Sequence, residues 1–208
     1  MKNNRPAIAG RSIALAIAVC FLAMARPATA ATPAETFVTG NIQTGLAILG
    51  NAQLTPAQHK AQFQTFLLGI TDMRRIALFT LGKYAAGASA ADQDAFATAF
   101  KNYAVAVYRS YFERYSGQTM TVLRSSQRAP GDFIVVTNMV DKSGQPPLEI
   151  DFRVRTDGAK TVITDFSVAG IWLALAEQAD FGAVLAKNGG SIAGLIQHLN
   201  ATASQYQQ

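Results

Sequence analysis

The apolar positions of the chain follow a helical period up to about residue 115 and a strand period after it. In the first part, apolar residues recur every three or four positions, which is the spacing of one buried helix face. A threonine-proline pair, an aspartate or a serine precedes each of these runs, as is typical of helix starts. The pattern predicts four helices, which run from Thr32 to Gly50, from Thr55 through Ile70, from Asp72 to Gly82, and from Ser89 to Tyr115.

After Gln118 the period changes from 3.6 residues to two. The alternation is clearest over Leu148–Arg155, where four apolar residues alternate with four charged ones. Such alternation predicts a strand with one buried and one wet face. The intervening turns are short, and Asp157-Gly158 between alternating runs is a strong hairpin signal. The pattern therefore predicts an antiparallel meander of strands Gln118–Gln127, Asp132–Val140, Leu148–Arg155 and Lys160–Val168.

Two helical patterns close the chain. The first covers Ile171–Lys187, and Ser191 begins a second that carries Leu195 and Leu199 on one face. Helices before and after a meander predict an α+β fold, with the helices packed on one face of a curved antiparallel sheet of four or more strands. We see no linker or internal repeat, so the sequence predicts one domain over residues 31–208.

The N-terminus carries the pattern of a secretory signal peptide over residues 1–30. Three basic residues precede the apolar run Ser12–Ala25, and Ala28-Thr29-Ala30 has the small residues of a cleavage site. The run is shorter than the ~20 residues that a membrane-spanning helix needs. A lipoprotein signal is the alternative, since the residues before Cys20 loosely resemble a lipobox. The pattern therefore predicts export with cleavage before Ala31.

Cleavage would change the apparent chemistry of the chain. It removes four of the 18 basic residues and none of the 13 acidic ones, so a net charge of +5 falls close to neutrality. A nearly neutral domain gives no electrostatic case for nucleic acid. The single cysteine, Cys20, also leaves, which excludes disulfides, a thiolate nucleophile and cysteine-ligated metal in the mature chain.

A search for catalytic or metal-binding patterns is mostly negative. His59 and His198 stand alone on predicted helices, without the cluster that zinc requires. No nucleophile elbow, P-loop or dinucleotide-binding pattern occurs. Asp165 lies among apolar residues of the last strand and has two interpretations. It is a general acid or base in a cavity, or it lies on the face opposite Phe166, where it pairs with a base or caps a loop.

The longest helix carries an aromatic stripe that also has two interpretations. Phe96, Phe100, Tyr103, Val107 and Tyr111 follow helical spacing. Such a stripe is ordinary core packing, or it is one wall of a pocket for an apolar ligand. Periodicity alone does not distinguish a filled core from a lined cavity, and both interpretations stay open.

Two stretches, 72–117 and 165–199, carry an ordered set of short motifs. The set consists of Asp72, Leu81-Gly82 and Tyr84, then Tyr115-Ser116-Gly117, then Asp165, Val168, Gly170 and Ile171, and finally Phe181, Gly190, Leu195 and Ile196. No single motif is specific, but together and in this order they resemble the MlaC family, also known as the toluene-tolerance family of periplasmic phospholipid-binding proteins. The chain departs from its relatives at Ala169, Trp172 and Glu177-Gln178.

The resemblance implies a fold similar to nuclear transport factor 2, with lipid tails held between sheet and helices. It also implies a non-enzymatic carrier without cofactor or metal, which shuttles phospholipid in the periplasm between an outer-membrane lipoprotein complex and an inner-membrane Mla-type ABC transporter, and which we expect to be a monomer. A hopanoid-associated subgroup exists, so a polycyclic lipid is an alternative cargo. Periodicity and the family fold together suggest these lipid-binding wall residues: Ile76, Leu81, Phe100, Tyr103, Val107, Ile150, Phe152, Val154, Phe166, Val168 and Trp172.

Two other function classes remain open at this stage. Folds similar to nuclear transport factor 2 also host isomerases and hydratases, and Asp165 or Tyr103 would be the acid or base of such a cavity enzyme. An exported binding module that carries no lipid is the third interpretation. The orientation of Asp165, and whether a second titratable group lies beside it, distinguishes the enzyme from the carrier.

Overall fold

A computed structural model describes residues 30–112 and 115–206 of the chain. The predicted signal peptide, apart from Ala30, lies outside the described residues. Residues from Ala31 onward form one compact unit. No helix of the described residues is long and apolar enough to cross a membrane. The helices are α1 Pro33–Leu49, α2 Pro56–Ile70, α3 Met73–Thr80, a 3-10 helix Gly82–Gly87, α4 Ala90–Phe112, α5 Leu173–Lys187 and α6 Ile192–Gln205; the strands are β1 Thr119–Ala129, β2 Asp132–Val140, β3 Leu148–Asp157, β4 Lys160–Val168 and β5 Ile171–Trp172.

The predicted α+β fold is confirmed. The strands form one antiparallel sheet in the order β1-β2-β3-β4-β5, so each strand pairs with its neighbour in sequence. Helices precede and follow this meander, as the change of period predicts. The 3-10 helix between α3 and α4 was not predicted.

The helix starts lie where the capping signals predict them. Thr32 and Thr55 each begin a capping box, in which the threonine oxygen accepts a backbone N–H and the third residue's side chain returns the bond. Asp72 and Ser191 accept backbone N–H groups at the starts of α3 and α6. These bonds satisfy N–H groups that have no partner within the helix.

The fifth strand corrects the predicted start of the fifth helix. Ile171 and Trp172 pair with Val168 and Ser167 instead of beginning the helix, which starts at Leu173. The cause is a two-residue turn, in which Ala169 has φ 49° and Gly170 has φ 82°. Two successive left-handed residues match the twist of antiparallel strands, so the chain folds back as a hairpin. The apolar pair Ile171-Trp172 gave no local signal against a helix.

A β-bulge between β3 and β4 decides which face each residue of β4 occupies. Phe152 lies opposite Phe166 and Arg153 lies opposite Asp165, but the next pair joins Val154 to Ile163. The extra residue, Thr164, reverses the alternation on β4. Ile163 and Phe166 therefore share the apolar face with Val154, whereas Asp165 lies on the other face with Arg153.

The predicted wet face of the sheet is less exposed than alternation suggests. Asp132 is only 6% exposed. Arg153 donates to both of its carboxylate oxygens, from Nε at 3.1 Å and from Nη2 at 2.7 Å. The hydrogen bond from Arg153 lowers the pKa of Asp132 below its usual value. The bidentate geometry explains how a carboxylate is buried on this face without losing its charge.

The apolar interior is divided into two clusters. The larger one, which we call the helical cluster, joins α3, α4, α5 and α6 around Phe96, Phe181, Leu185 and Leu195. The smaller one, the sheet cluster, joins Ala34 and Val38 of α1 to Val135 and Val154 of the sheet. Helix α2 contributes no residue to the core of either cluster, although its Phe63 is buried.

The hairpin between β1 and β2 gives a test of the sheet geometry. Gly131 has φ 71°, and a Cβ added there would lie 2.4 Å from the carbonyl oxygen of Thr156. Gly158 has φ 57° but nothing within 4 Å of an added Cβ. Gly158→Ala should therefore lose only the left-handed preference, about 1–2 kcal/mol.

We expect Gly131→Ala to lower the free energy of unfolding by clearly more than this, because the methyl group also displaces Thr156. That shift would break the bond from the Thr156 N–H to the Gly131 carbonyl, which is 2.8 Å long. Urea unfolding of both variants measures the difference. Equal losses of unfolding free energy in the two variants would show that the turn between β1 and β2 does not lie this close to Thr156 of β3.

Candidate functional site

The apolar face of the sheet extends beyond the sheet cluster as a row of half-buried aromatic rings. The rings of Phe152 and Phe166 lie with their centroids 6.3 Å apart on neighbouring strands. Tyr108 of α4 packs on Phe166, with centroids 5.4 Å apart. All three side chains are only half-buried. We call this group, which lies between the two clusters, the aromatic seam.

The register of the strands determines which side chains of the sheet form the aromatic seam. Val135, Phe152 and Phe166 are cross-strand neighbours in one row, and cross-strand partners project to the same face of a sheet. Val135 is fully buried under α1, whereas Phe152 and Phe166 in the same row are only half-buried. A continuous apolar surface thus leads from the sheet cluster to α4.

Helix α2 packs against α1, α4 and β4. Its Phe66 approaches α1 at Gly45, where an added Cβ would lie 3.2 Å from the ring. Its carboxyl end is tied to the sheet, because the Asp72 N–H that follows it donates to the Ile163 carbonyl at 3.3 Å. Helix α2 therefore contacts α1, α4 and β4 and buries Phe63, although its residues belong to neither cluster core.

Nine of the eleven predicted wall residues fall into two groups. The five from the sheet share one apolar face: Ile150, Phe152, Val154, Phe166 and Val168. Four helical ones pack in or against the helical cluster instead: Ile76, Leu81, Phe100 and Tyr103. Val107 and Trp172 are half-buried.

The structure does not bring the eleven residues to one surface, and their contact with lipid stays a prediction. Tyr108 belongs to the aromatic seam but was not among the predicted wall residues. The apolar stripe of α4 contains its neighbour Val107, and only the packing of Tyr108 against Phe166 shows that Tyr108 faces the sheet.

Tyr103 is hydrogen-bonded to an acidic side chain. Its hydroxyl donates to Oε1 of Glu177 at 2.8 Å, between α4 and α5. Burial, together with the adjacent Glu177, raises the pKa of Tyr103 further above its ordinary value. Burial also raises the pKa of Glu177, against the opposing effect of this hydrogen bond. A phenol held in the protonated form is a poor general base, so the geometry gives Tyr103 a structural role.

Asp165 has the arrangement of a helix cap. Its Oδ1 accepts the backbone N–H of Phe166 at 2.8 Å and that of Ala174, in the first turn of α5, at 3.0 Å. The residue at the N-cap position, Trp172, supplies no side-chain bond. Burial raises the pKa of Asp165, while these backbone bonds and Arg153 oppose the shift. Asp165 thus lies on the face of β4 opposite to that of Phe166, and it holds α5 to β4. This is the capping interpretation of Asp165, not the catalytic one.

Two clefts open on the surface away from the seam. One has a volume of about 300 Å³ and lies between α2, α4 and α6. The other, of about 320 Å³, lies beside α3 and α4, where Arg74 pairs with Asp94. Among the described residues, no three histidine, cysteine or acidic side chains are grouped to hold a metal ion.

Comparisons with known proteins identify the family and the fold. A family model described as MlaC protein matches residues 40–201. The chain belongs to the MlaC family. Among solved structures, it is similar to a phospholipid-binding protein from Ralstonia solanacearum in complex with a phospholipid, with a TM-score of 0.75 and 22% identity. The alignment covers 85% of this chain and 100% of the other. At this identity the likeness shows the fold, and the hopanoid-associated subgroup stays a prediction.

Two of the residues at which the sequence analysis expects this MlaC family member to depart from its relatives, Glu177 and Gln178, have defined contacts. Glu177 accepts the Tyr103 hydroxyl. The Gln178 side-chain amide donates to the Phe79 carbonyl at 2.6 Å, and its carbons lie over Gly82. These residues therefore join α5 to α3 and α4, and they do not form part of the aromatic seam.

The half-buried pair of Tyr103 and Glu177 predicts a pH dependence. Because the pKa of Glu177 is raised in the folded protein, the folded state holds this proton more tightly than the unfolded chain. Its contribution to stability is therefore complete below the unfolded pKa, about 4.3, and is lost as pH rises through the folded value.

Glu177→Gln keeps an acceptor for Tyr103 but does not titrate. We expect the free energy of unfolding of this variant, relative to the unsubstituted chain, to increase as pH rises from 4 toward 7. Urea unfolding at four pH values measures it, and the exposed Glu149→Gln controls for removal of a carboxylate as such. A difference that stays constant with pH would contradict the assignment.

Proposed function

We propose that this protein is a lipid carrier and that the acyl tails of its cargo occupy the aromatic seam between the sheet and helices α2 and α4. The observation that carries the proposal is the division of the apolar interior into two clusters, with half-buried rings of Phe152, Phe166 and Tyr108 between them. Family membership supports it, as does the likeness to a protein solved with a phospholipid.

The energetics of lipid transfer explain why a carrier needs such a surface. Burial of each acyl CH₂ gains about 0.8 kcal/mol, so a chain of roughly 14 such groups gains about 11 kcal/mol. A two-chain lipid therefore rarely crosses water unaided. The carrier has to bury the tails, but it leaves the polar head where it keeps its hydration. Few specific polar contacts are needed, which accounts for a sequence without catalytic motifs.

Export and shuttling are parts of the same proposal. The signal-peptide pattern of residues 1–30 supports a mature chain in the periplasm. There, an apolar cargo would have to cross an aqueous gap between two membranes. We propose that the partners are an outer-membrane lipoprotein complex and an inner-membrane Mla-type ABC transporter. Release would need a partner that opens the seam, because the bound state is strongly favoured.

Uptake of labelled phospholipid from vesicles by the chain from Ala31 onward tests the carrier proposal. We expect Phe166→Asp to reduce uptake at least about tenfold, since an unpaired carboxylate among acyl chains costs several kcal/mol. The matched control is Phe79→Asp on α3, where the side chain is already 45% exposed. That variant should take up lipid like the unsubstituted chain.

Unfolding curves recorded alongside establish that both aspartate variants fold. Equal uptake by the two variants would contradict the position of the tails. No uptake by the unsubstituted chain would contradict the carrier itself. Competition by an unlabelled hopanoid in the same assay distinguishes the two candidate classes of cargo.

A further inference from the structure

One end of the polar face of the sheet gathers three arginines around a single buried carboxylate. Asp132 lies opposite Arg155 in the register of β2 and β3, and Arg153 is the neighbouring residue of β3 on the same face. Arg128 is the extra residue of a β-bulge on β1, directly beside the pair of Ala129 and Asp132. Helix α1, which packs on β1 and β2, covers the opposite, apolar face. We call Arg128, Asp132, Arg153 and Arg155 the arginine corner.

The carboxylate of the arginine corner is bound through both oxygens by one of the three arginines. Arg153 donates to Oδ1 and Oδ2 of Asp132. This hydrogen bonding is the main reason why the pKa of Asp132 is low, and the charges of Arg128 and Arg155 lower it further. Both of these arginines therefore lie close to Asp132, although neither is bonded to it. One negative charge thus faces three positive ones.

Arg128 and Arg155 are the arginines of the corner with donors to spare. Among the residues that the structure describes, the guanidinium of neither forms a hydrogen bond or an ion pair. Arg155 is half-buried, and because its Nε is buried, its Nη groups are the donors left to a ligand. The side chain of Arg128 is exposed. Guanidinium groups of this kind suit the oxygens of a carboxylate or a phosphate.

The acidic residues around the corner do not cancel this charge, because they have partners of their own. Asp165, which lies opposite Arg153, accepts two backbone N–H groups, one on β4 and one at the start of α5. Asp157 lies opposite Lys160, whose charge offsets its own. Asp151 accepts a serine hydroxyl of β4. The arginine corner therefore keeps an excess of positive charge.

The surroundings of the corner favour a lipid surface over a protein as its partner. Protein interfaces are built around buried apolar residues, with the charges at the rim. The exposed large apolar residues of β1 and β2 are Leu123 and Val140. Both lie farther along the strands, toward the end at which Thr119 pairs with Val140. The corner thus offers charge without an apolar centre, which is enough for attraction to an anionic leaflet.

We propose that Arg128 and Arg155 are a contact site through which this chain binds the phosphate groups of an anionic phospholipid surface. Arg153 is a positioning residue, since it holds Asp132 and leaves the other two arginines to the ligand. The site lies on the face of the sheet opposite the aromatic seam, so it is distinct from the proposed tail site. Contact with a membrane does not depend on the carrier function, but it would hold a carrier against the membrane that supplies its lipid.

Cosedimentation of the chain from Ala31 onward with vesicles measures this contact. We expect binding to phosphatidylglycerol vesicles to exceed binding to phosphatidylcholine vesicles and to weaken with salt, which screens such contacts. One arginine near an anionic surface strengthens binding about fivefold. Arg128→Gln/Arg155→Gln should therefore weaken binding to phosphatidylglycerol vesicles at least about tenfold. Arg128→Lys/Arg155→Lys keeps both charges and should retain most of the binding.

The matched control is Lys60→Gln/Lys101→Gln, which removes the same charge from α2 and α4, outside the corner. This variant should bind vesicles like the unsubstituted chain, and urea unfolding establishes that every variant folds. Unchanged vesicle binding by the arginine-to-glutamine variant overturns the proposal. Equal losses in the two double glutamine variants also overturn it, because they would show that net charge matters and the corner does not.

A hexaglutamate peptide in place of the vesicles tests the protein alternative. Peptide binding that requires Arg128 and Arg155, without any binding to vesicles, would assign the corner to an acidic segment of a partner protein and overturn the proposal. Vesicle binding that requires both arginines, in a chain that takes up no labelled phospholipid, would support this site but contradict the carrier function.

Discussion

The apolar face of the sheet is the constraint on which the rest of the structure depends. Under α1, Val135 and Val154 are fully buried by the helix packed on them. Farther along the same face, Phe152 and Phe166 keep part of their surface in water. Burying that remaining surface is favourable by roughly 25 cal/mol per Å². The fold thus leaves an apolar surface beside α4, which we propose an acyl chain covers.

The bulge in β4 connects this surface to the placement of the helices. By reversing the alternation at Thr164, it turns Phe166 toward the seam and Asp165 toward the start of α5. The turn at Ala169-Gly170 then returns the chain as β5, and α5 begins directly after it. The aspartate and glycine of the family pattern are thereby explained as structural residues. They orient a strand and a helix, and no catalytic role is needed to explain why they are part of the pattern.

Much of the fold was predictable because it is specified locally. Capping residues such as Thr32 and Thr55 mark the helix starts, and the alternation of β3 marks its faces. The seam was harder to predict, because a one-residue bulge and the contact between Tyr108 and Phe166 depend on distant parts of the chain. The same limit applies to Phe100 and Tyr103. Their spacing is correct for a buried stripe, but it does not say whether α5 or the sheet covers them.

The central claim is that acyl tails lie between the sheet and helices α2 and α4. Photo-crosslinking with a phospholipid that carries a diazirine in one tail, followed by peptide mass spectrometry, tests this most directly. The account predicts adducts on Phe152, Phe166, Tyr108 and the apolar residues of α2. Adducts confined to exposed apolar residues outside the seam, such as Phe79 and Leu175, or no adduct at all, would contradict it.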